Sequence, residues 1–385
     1  MKQVYLDHNA TTPVRKEVLD AMQPFFSHEY GNASSVHSKG RAARKAVEEA
    51  RELVGNAVGT ESADIVFTSG GTESDNFAIK GVAMANVDKG RHVITSEIEH
   101  PAVMDCCRFI EEELGFEVTR IPVDKYGMVD PDRLKDSVRK DTVLISIMFA
   151  NNEVGTIQPI KEIAEIAGKN GVYFHTDAVQ ALGKEKIDVE DLGIDLCSFS
   201  AHKLNGPKGI GGLYVRKGVK LVPFHSGGVH EGKRRAGTLN VPGIVGFGKA
   251  IEIACKDMQG SDKHMRKLTE RLLAGLNKEL KEIYLNGHPD RRLSNTLNIS
   301  FRHVEGESLI LNFDLKGICA STGSACMSGS LERSHVLAAM GVQPDLSQGS
   351  IRFSFGYGNT EEDVDYCLTE IPPIVKRLRE MSPLC

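Results

Sequence analysis

Seven short runs rich in β-branched residues recur between residues 64 and 218: DIVFTSG (64–70), HVITSEI (92–98), FEVTRIPV (116–123), TVLISIMFAN (142–151), VYFHTDAV (172–179), LCSFSA (196–201) and GLYVRKG (212–218). Longer helical patterns lie between several of them, at 74–90, 101–115 and 160–171, the last closing on Gly171, a residue that commonly ends helices. No other feature constrains the fold as strongly. Short strands separated by helix-length connections pair in parallel, because the helix carries the chain back across the sheet. The pattern predicts an α/β fold: a large domain with a mostly parallel seven-stranded sheet covered by helices on both faces. In such sheets, ligands bind outside the carboxyl ends of the strands.

Around residue 257 the pattern changes. A charged helical stretch, DKHMRKLTERLLAGLNKELKE (262–282), precedes strand-like runs NTLNISF (295–301) and SIRFSFG (350–356) and a final helical stretch, 360–381. Pro372 and Pro373 remove two backbone donors from that last stretch, so a bend or interruption is predicted there. A chain of 385 residues exceeds one ordinary domain. The expected division is a large domain over 15–257 and a smaller α+β domain built from 1–14 and 258–385.

A net charge of −5 supplies no basic field for nucleic acid or an anionic membrane surface. The opening MKQVYLDHNATTP lacks the apolar core of a signal peptide. The longest apolar run, TVLISIMFA (142–150), is far too short for a bilayer. A cytoplasmic protein is expected, with neither nucleic acid nor membrane as a partner.

None of the eight cysteines (Cys106, Cys107, Cys197, Cys255, Cys319, Cys326, Cys367, Cys385) forms a C-x-x-C pair. A structural zinc site or thioredoxin-like motif is therefore not predicted. Most read as buried or incidental thiols. Cys326 is different: CASTGSACMSG (319–329) sets it among small and hydroxyl residues, where a thiol adds little packing.

The predicted strand ends carry polar groups. Asp177 closes one run with Gln180 three residues on, and Ser200, His202 and Lys203 follow the next. If those strands are neighbours, about 4.8 Å apart, both ends face one crevice. From spacing alone, Asp177 and Lys203 are equally a structural ion pair or a reacting pair, and Lys208 is an alternative lysine. DIVFTSGGTESDN reads as strand, glycine turn and helix. The free N–H groups of such a helix start suit a phosphate, although an ordinary N-cap by Thr72 or Ser74 has the same signature. Neither G-x-x-x-x-G-K-[ST] nor a helix-opening G-x-G-x-x-G is present. A phosphate cradle, a carboxylate and a lysine are the parts pyridoxal phosphate requires, the lysine for its Schiff base and the acid for its ring nitrogen. His100, ending ITSEIEH, offers a ring to stack on the pyridine face.

On these residues the chain resembles the cysteine desulfurases, fold-type I pyridoxal-phosphate enzymes of the class V aminotransferase group, and in particular the branch serving nitrogen fixation and iron–sulfur cluster assembly. The similarity runs nearly end to end, through YLDHNATTP (5–13), FTSGGTESDN (67–76), EHPAV (99–103), ANNEVG (150–155), HTDAVQALGK (175–184), SFSAHKLNGPKGIGGLYV (198–215), RRAGTLN (234–240), TGSACMSGSLERSHVL (322–337) and SIRFSFG (350–356). The resemblance implies that Lys203 carries the Schiff base and moves the substrate Cα proton. It implies that Asp177 pairs with the ring nitrogen, Gln180 donates to the ring's phenolate oxygen, and His100 stacks and shuttles a proton. Gly71, Thr72, Ser200 and His202 then hold the phosphate. Thr238 reaches the phosphate of the other subunit, which implies a homodimer. Asn152 and Arg352 hold the substrate carboxylate, for which a planar guanidinium fork is well shaped. Ala33 and Arg333 stand where relatives usually carry proline. The resemblance implies no metal in the free enzyme, only a transient meeting of Cys326 with an iron–sulfur cluster on a scaffold.

Cys326 then acquires a task. A thiolate attacking the sulfur of bound L-cysteine leaves a persulfide on Cys326 and releases L-alanine. Cys319, at the edge of an apolar run, is expected to be buried. The implied function is pyridoxal-phosphate-dependent cysteine desulfuration, with sulfur passed to an iron–sulfur scaffold or another acceptor protein. An aminotransferase or selenocysteine lyase would use the same Lys203, Asp177 and Arg352, and Cys326 is what separates the readings. A nucleotide-binding oxidoreductase would need a glycine fingerprint and an acidic residue about 20 positions on, and neither is found.

Overall fold

The computed structural model describes residues 2–322 and 333–381. Twelve strands occur in chain order: β1 (Val4–Tyr5), β2 (Ile65–Thr68), β3 (His92–Ser96), β4 (Glu117–Ile121), β5 (Thr142–Ser146), β6 (Tyr173–Asp177), β7 (Leu196–Ser200), β8 (Gly211–Val215), β9 (Ile283–Asn286), β10 (Thr296–Phe301), β11 (Ile318–Cys319) and β12 (Ser350–Ser354). The seven β-branched runs form one sheet, in the order β2-β8-β7-β6-β5-β3-β4. Within it β8 runs antiparallel to both neighbours, and the remaining pairs are parallel. The link from β7 to β8 is a short 3-10 turn and a glycine-rich segment with no crossover helix, so the chain can only turn back beside itself.

β2, β3, β5, β7 and β8 are buried at every residue, which is why their sequences are continuous apolar runs and not alternating ones. Helices Gly71–Ala85 and Pro101–Leu114 cover one face with Phe77, Val82, Val103 and Ile110. The other face carries helices Ser38–Ala57 and Val241–Lys256, which the strand-and-helix pattern did not single out. Ser38–Ala57 buries Ala43, Val47, Ala50 and Val54, at spacings of four, three and four. It meets Val241–Lys256 through small residues: a Cβ on Gly248 would lie 2.8 Å from Ala50 Cα.

A second core gathers Leu268, Leu272, Leu276, Phe301, Phe353 and Ile371, and Val4 and Leu6 from the N-terminal segment pack into it. Its sheet is antiparallel, in the order β12-β10-β9, while β1 pairs with β11. The predicted break at Pro372–Pro373 does not occur: the helix is continuous from Glu361 to Met381. Ile371, Pro372, Ile374 and Val375 are buried there, and that packing offsets the two missing donors. Cys106, Cys107, Cys197 and Cys367 are buried free thiols; Cys319, expected to be buried, is half-buried, because on β11 the alternate position, Ile318, takes the inward side. Among the described residues, no helix is long and apolar enough to cross a membrane, and no cluster of His, Cys, Asp and Glu could hold a metal.

Candidate active site

The carboxyl ends of β2, β3, β5, β6 and β7 open onto a cavity of about 270 Å³. Asp177 ends β6, and it lies in register with Ser198 of the adjacent β7. The two strand ends therefore do face one crevice. Beyond β7, the turn Ala201–Lys203 carries Lys203 into the cavity, where Nζ donates to the carbonyls of Asn9 at 2.5 Å and Ala10 at 2.8 Å. His100 caps helix Pro101–Leu114, its Nδ1 accepting from the Ala102 N–H at 3.1 Å. That bond leaves the rest of the ring to the cavity, which it lines with Gln180 and Asn152.

Low polarity sets the protonation states. Burial pushes the Asp177 carboxyl up to about 6, while the Val179 N–H and the Lys203 ammonium pull it back. Burial, then repulsion from Lys203 and His335, holds His100 down at about 4, so its imidazole is neutral at pH 7. His202 is lowered to about 4 for the same first reason. Two acids near Asp177 are also displaced: burial raises Glu99 to about 8 and holds Asp75 well above the usual carboxylate range. Asp75 Oδ1 lies 3.7 Å from His175 Nε2 and makes no hydrogen bond among the described residues, and neither does Glu99 Oε2.

A second recess of about 320 Å³ adjoins the first and shares Gly71, Thr72, Ser200 and His202 with it. It lies at the N-terminus of helix Gly71–Ala85, whose first amides have no carbonyl of their own helix to bond. Gly70, at φ +154°, makes the turn into that helix, and a Cβ on Gly211 would fall 2.7 Å from Gly70 Cα. The cradle thus requires glycine on both sides. Lys208 is exposed on its rim, whereas Lys203 lies inside beside Asp177, which separates the two candidate lysines by position. An acid at one end, an amine between, and a helix N-terminus at the other fit a pyridine ring bearing a phosphate.

Arg352 on β12 is 1% exposed, and its Nη1 donates to the Asn152 carbonyl at 3.0 Å. Arg352 and Asn152 are thus brought together, but through the backbone of Asn152. The other arm, Nη2, pairs with Asp7 at 2.7 Å, and Nε has no hydrogen-bond partner among the described residues. The Arg352 backbone also bridges Ser321, two residues before the segment that carries Cys326. Cys326 itself lies outside the described residues. Thr238 is exposed on the loop after Gly237 and lines neither recess. Ala33 is buried and its carbonyl accepts from Arg44; Arg333 is exposed.

Sequence reasoning assigned no role to Asn9, Asp75, Glu99 or Lys184. Asn9, Asp75, Glu99 and Lys184 all stood inside quoted motifs, so the signal was their place in YLDHNATTP, TESDN, EHPAV and HTDAVQALGK. Asn9 was hidden because it acts through residues distant in sequence, as when its Nδ2 donates to Thr296 Oγ1, and Lys184 because its partner Gln180 was itself assigned only a cofactor contact.

A family model described as aminotransferase class-V matches residues 4–367. The chain is 58% identical over 383 residues to the cysteine desulfurase IscS of Methanosarcina thermophila, covering 100% of this chain and 94% of that protein. It is 53% identical over 382 residues to the cysteine desulfurase IscS of Dictyoglomus turgidum, covering 99% and 97%. Among solved structures, a NifS-like protein superposes with a TM-score of 0.92 at 42% identity, covering 98% of this chain and 100% of that one. A structure described as SspA in complex with cysteine gives 0.82 at 37% identity, covering 91% and 98%.

Proposed function

Because the chain belongs to the class V aminotransferase family, we propose that it is a pyridoxal-phosphate-dependent cysteine desulfurase that converts L-cysteine to L-alanine and takes the sulfur onto Cys326. The observation that carries the reading is the placing of Lys203 and Asp177 in one cavity that ends at the N-terminus of helix Gly71–Ala85. Relatives of more than half identity named as cysteine desulfurases select the substrate.

Each residue then has a task. Gly71, Thr72, Ser200 and His202 hold the phosphate, with Thr238 contributed from the exposed loop of a second subunit in a homodimer. Asp177 faces the ring nitrogen and Gln180 the ring's oxygen. When bound, pyridoxal phosphate supplies an electron sink conjugated to the substrate's α-carbon. Lys203 moves the proton at that carbon, and neutral His100 can accept or return one. Arg352 holds the substrate carboxylate beside Asn152, in exchange for or alongside Asp7. The Cys326 thiolate attacks the substrate sulfur and the Cβ–S bond breaks, which leaves a persulfide on Cys326 and alanine as product. The persulfide passes to an iron–sulfur scaffold or another acceptor protein in the cytoplasm. In domain terms, 15–257 binds the cofactor, while 1–14 and 258–385 bring Arg352 and Cys326.

The test measures alanine and sulfide from L-cysteine with added reductant, wild type beside Cys326→Ser. Matching alanine and sulfide from the wild type, with neither from a still-yellow variant, supports the reading. Equal sulfide from both proteins overturns the role of Cys326. Turnover that depends on an added keto acid points to an aminotransferase.

A further inference from the structure

A third recess, of about 280 Å³, is lined in part by His8, Lys184, Lys203 and Phe355. Lys184 stands between this space and the cavity of Asp177. Its Nζ donates to Gln180 Oε1 at 3.2 Å. Gln180 Nε2 in turn donates to the Asn9 carbonyl at 3.0 Å, the carbonyl that also accepts from Lys203 at 2.5 Å. A carboxamide has two ends of nearly equal shape and opposite role, and an ammonium can bond only the oxygen. A charged Lys184 at the oxygen and the Asn9 carbonyl at the nitrogen therefore select the same orientation of the amide. With the oxygen held, the NH₂ group is turned toward Asn9, and its second N–H is left for the cavity that Gln180 lines.

We propose that Lys184 is a positioning residue: it locks the Gln180 carboxamide with its NH₂ end presented to the anionic oxygen of the bound cofactor ring. The proposal rests on the pyridoxal-phosphate reading given above. Lys184 is half-buried, and an ammonium held there against an uncharged amide is costly to keep. Burial, then Lys203 and Arg352, lowers the Lys184 amine to about 7, and Glu185 opposes them. His8, itself held down at about 4 by burial and by Lys184, faces the same space. A charged Lys184 also polarises the amide and strengthens its N–H donor.

The experiment compares Lys184→Met and Lys184→Arg with the wild type, each loaded with pyridoxal phosphate. Two readouts are used: the visible absorbance as a function of pH, and kcat and KM for L-cysteine. Loss of the charge and of the oriented donor should move the visible transition of Lys184→Met up by about one unit, a tenfold change in the proton equilibrium. It should lower kcat about tenfold with KM for L-cysteine nearly unchanged, and Lys184→Arg should restore both. In a Gln180→Leu background, Lys184→Met should add nothing further, because the effect passes through Gln180. A transition and kcat equal to the wild type in Lys184→Met, or an undiminished effect in the Gln180→Leu background, overturns the proposal. Lys184→Leu, which likewise lacks both charge and donor, gives the same readings if the methionine variant does not fold. A wild type that binds no pyridoxal phosphate would instead sink the underlying functional reading.

Discussion

Glu231→Gln tests how the open edge of the large sheet is closed. β2 is an edge strand, yet it is fully buried, and a buried ion pair satisfies its open edge. Both Glu231 carboxylate oxygens accept from the Arg51 guanidinium at 2.7 Å, with side chains 1% and 8% exposed. The same groups satisfy the edge: Phe67 N–H donates to Glu231 at 2.8 Å, and Arg51 donates to the Ile65 carbonyl at 2.9 Å. The guanidinium also lies 4.7 Å over the Phe67 ring. Removing one charge from a buried pair strands the other, at a cost of about 3–5 kcal/mol. Glutamine keeps an acceptor for Phe67, and the half-exposed Glu48 remains beside Arg51 at 3.1 Å, so the lower end is expected, about 3 kcal/mol. At a few degrees per kcal/mol for a domain this large, the thermal midpoint should fall by roughly 6–12 °C. Differential scanning calorimetry of the loaded protein reads this directly. A variant within a degree of the wild type would refute the reasoning.

Two further expectations follow from the cradle and the buried acids. Gly211→Ala places a methyl 2.5 Å from the Phe199 carbonyl oxygen and 2.7 Å from Gly70 Cα, so the start of helix Gly71–Ala85 must shift. Equilibrium dialysis should show about tenfold weaker retention of pyridoxal phosphate, and unchanged retention would dismiss the cradle as a tight fit. Glu99, held at about 8 in the folded protein against an ordinary 4.5, contributes stability that is full below about 4.5 and lost as pH rises through 8. Glu99→Gln has no such loss, so its stability relative to the wild type should grow between pH 5 and 9 in urea titrations. A gap independent of pH would contradict the burial of a neutral Glu99.

Local pattern alone determined a good deal. The β-branched runs from Ile65 to Val215 became the seven strands because continuous apolar residues are what a strand covered on both faces must carry. The same logic set Asp177, Ser200 and Lys203 at strand ends, where polar groups are tolerated. The tertiary structure decided the rest, because contacts between residues distant in sequence leave no period to read. Helix Val241–Lys256, rich in glycine and weakly patterned, is specified by its close approach to Ala50. The Pro372–Pro373 helix survives because its flanks are buried. Arg352 meets Asp7, and Lys203 meets the carbonyl of Asn9, only because the N-terminal segment folds over the cavity. Sequence reading could nominate Asp177 and Lys203, but whether they shared a crevice depended on β6 and β7 being neighbours, a matter of strand order that only long-range packing settles.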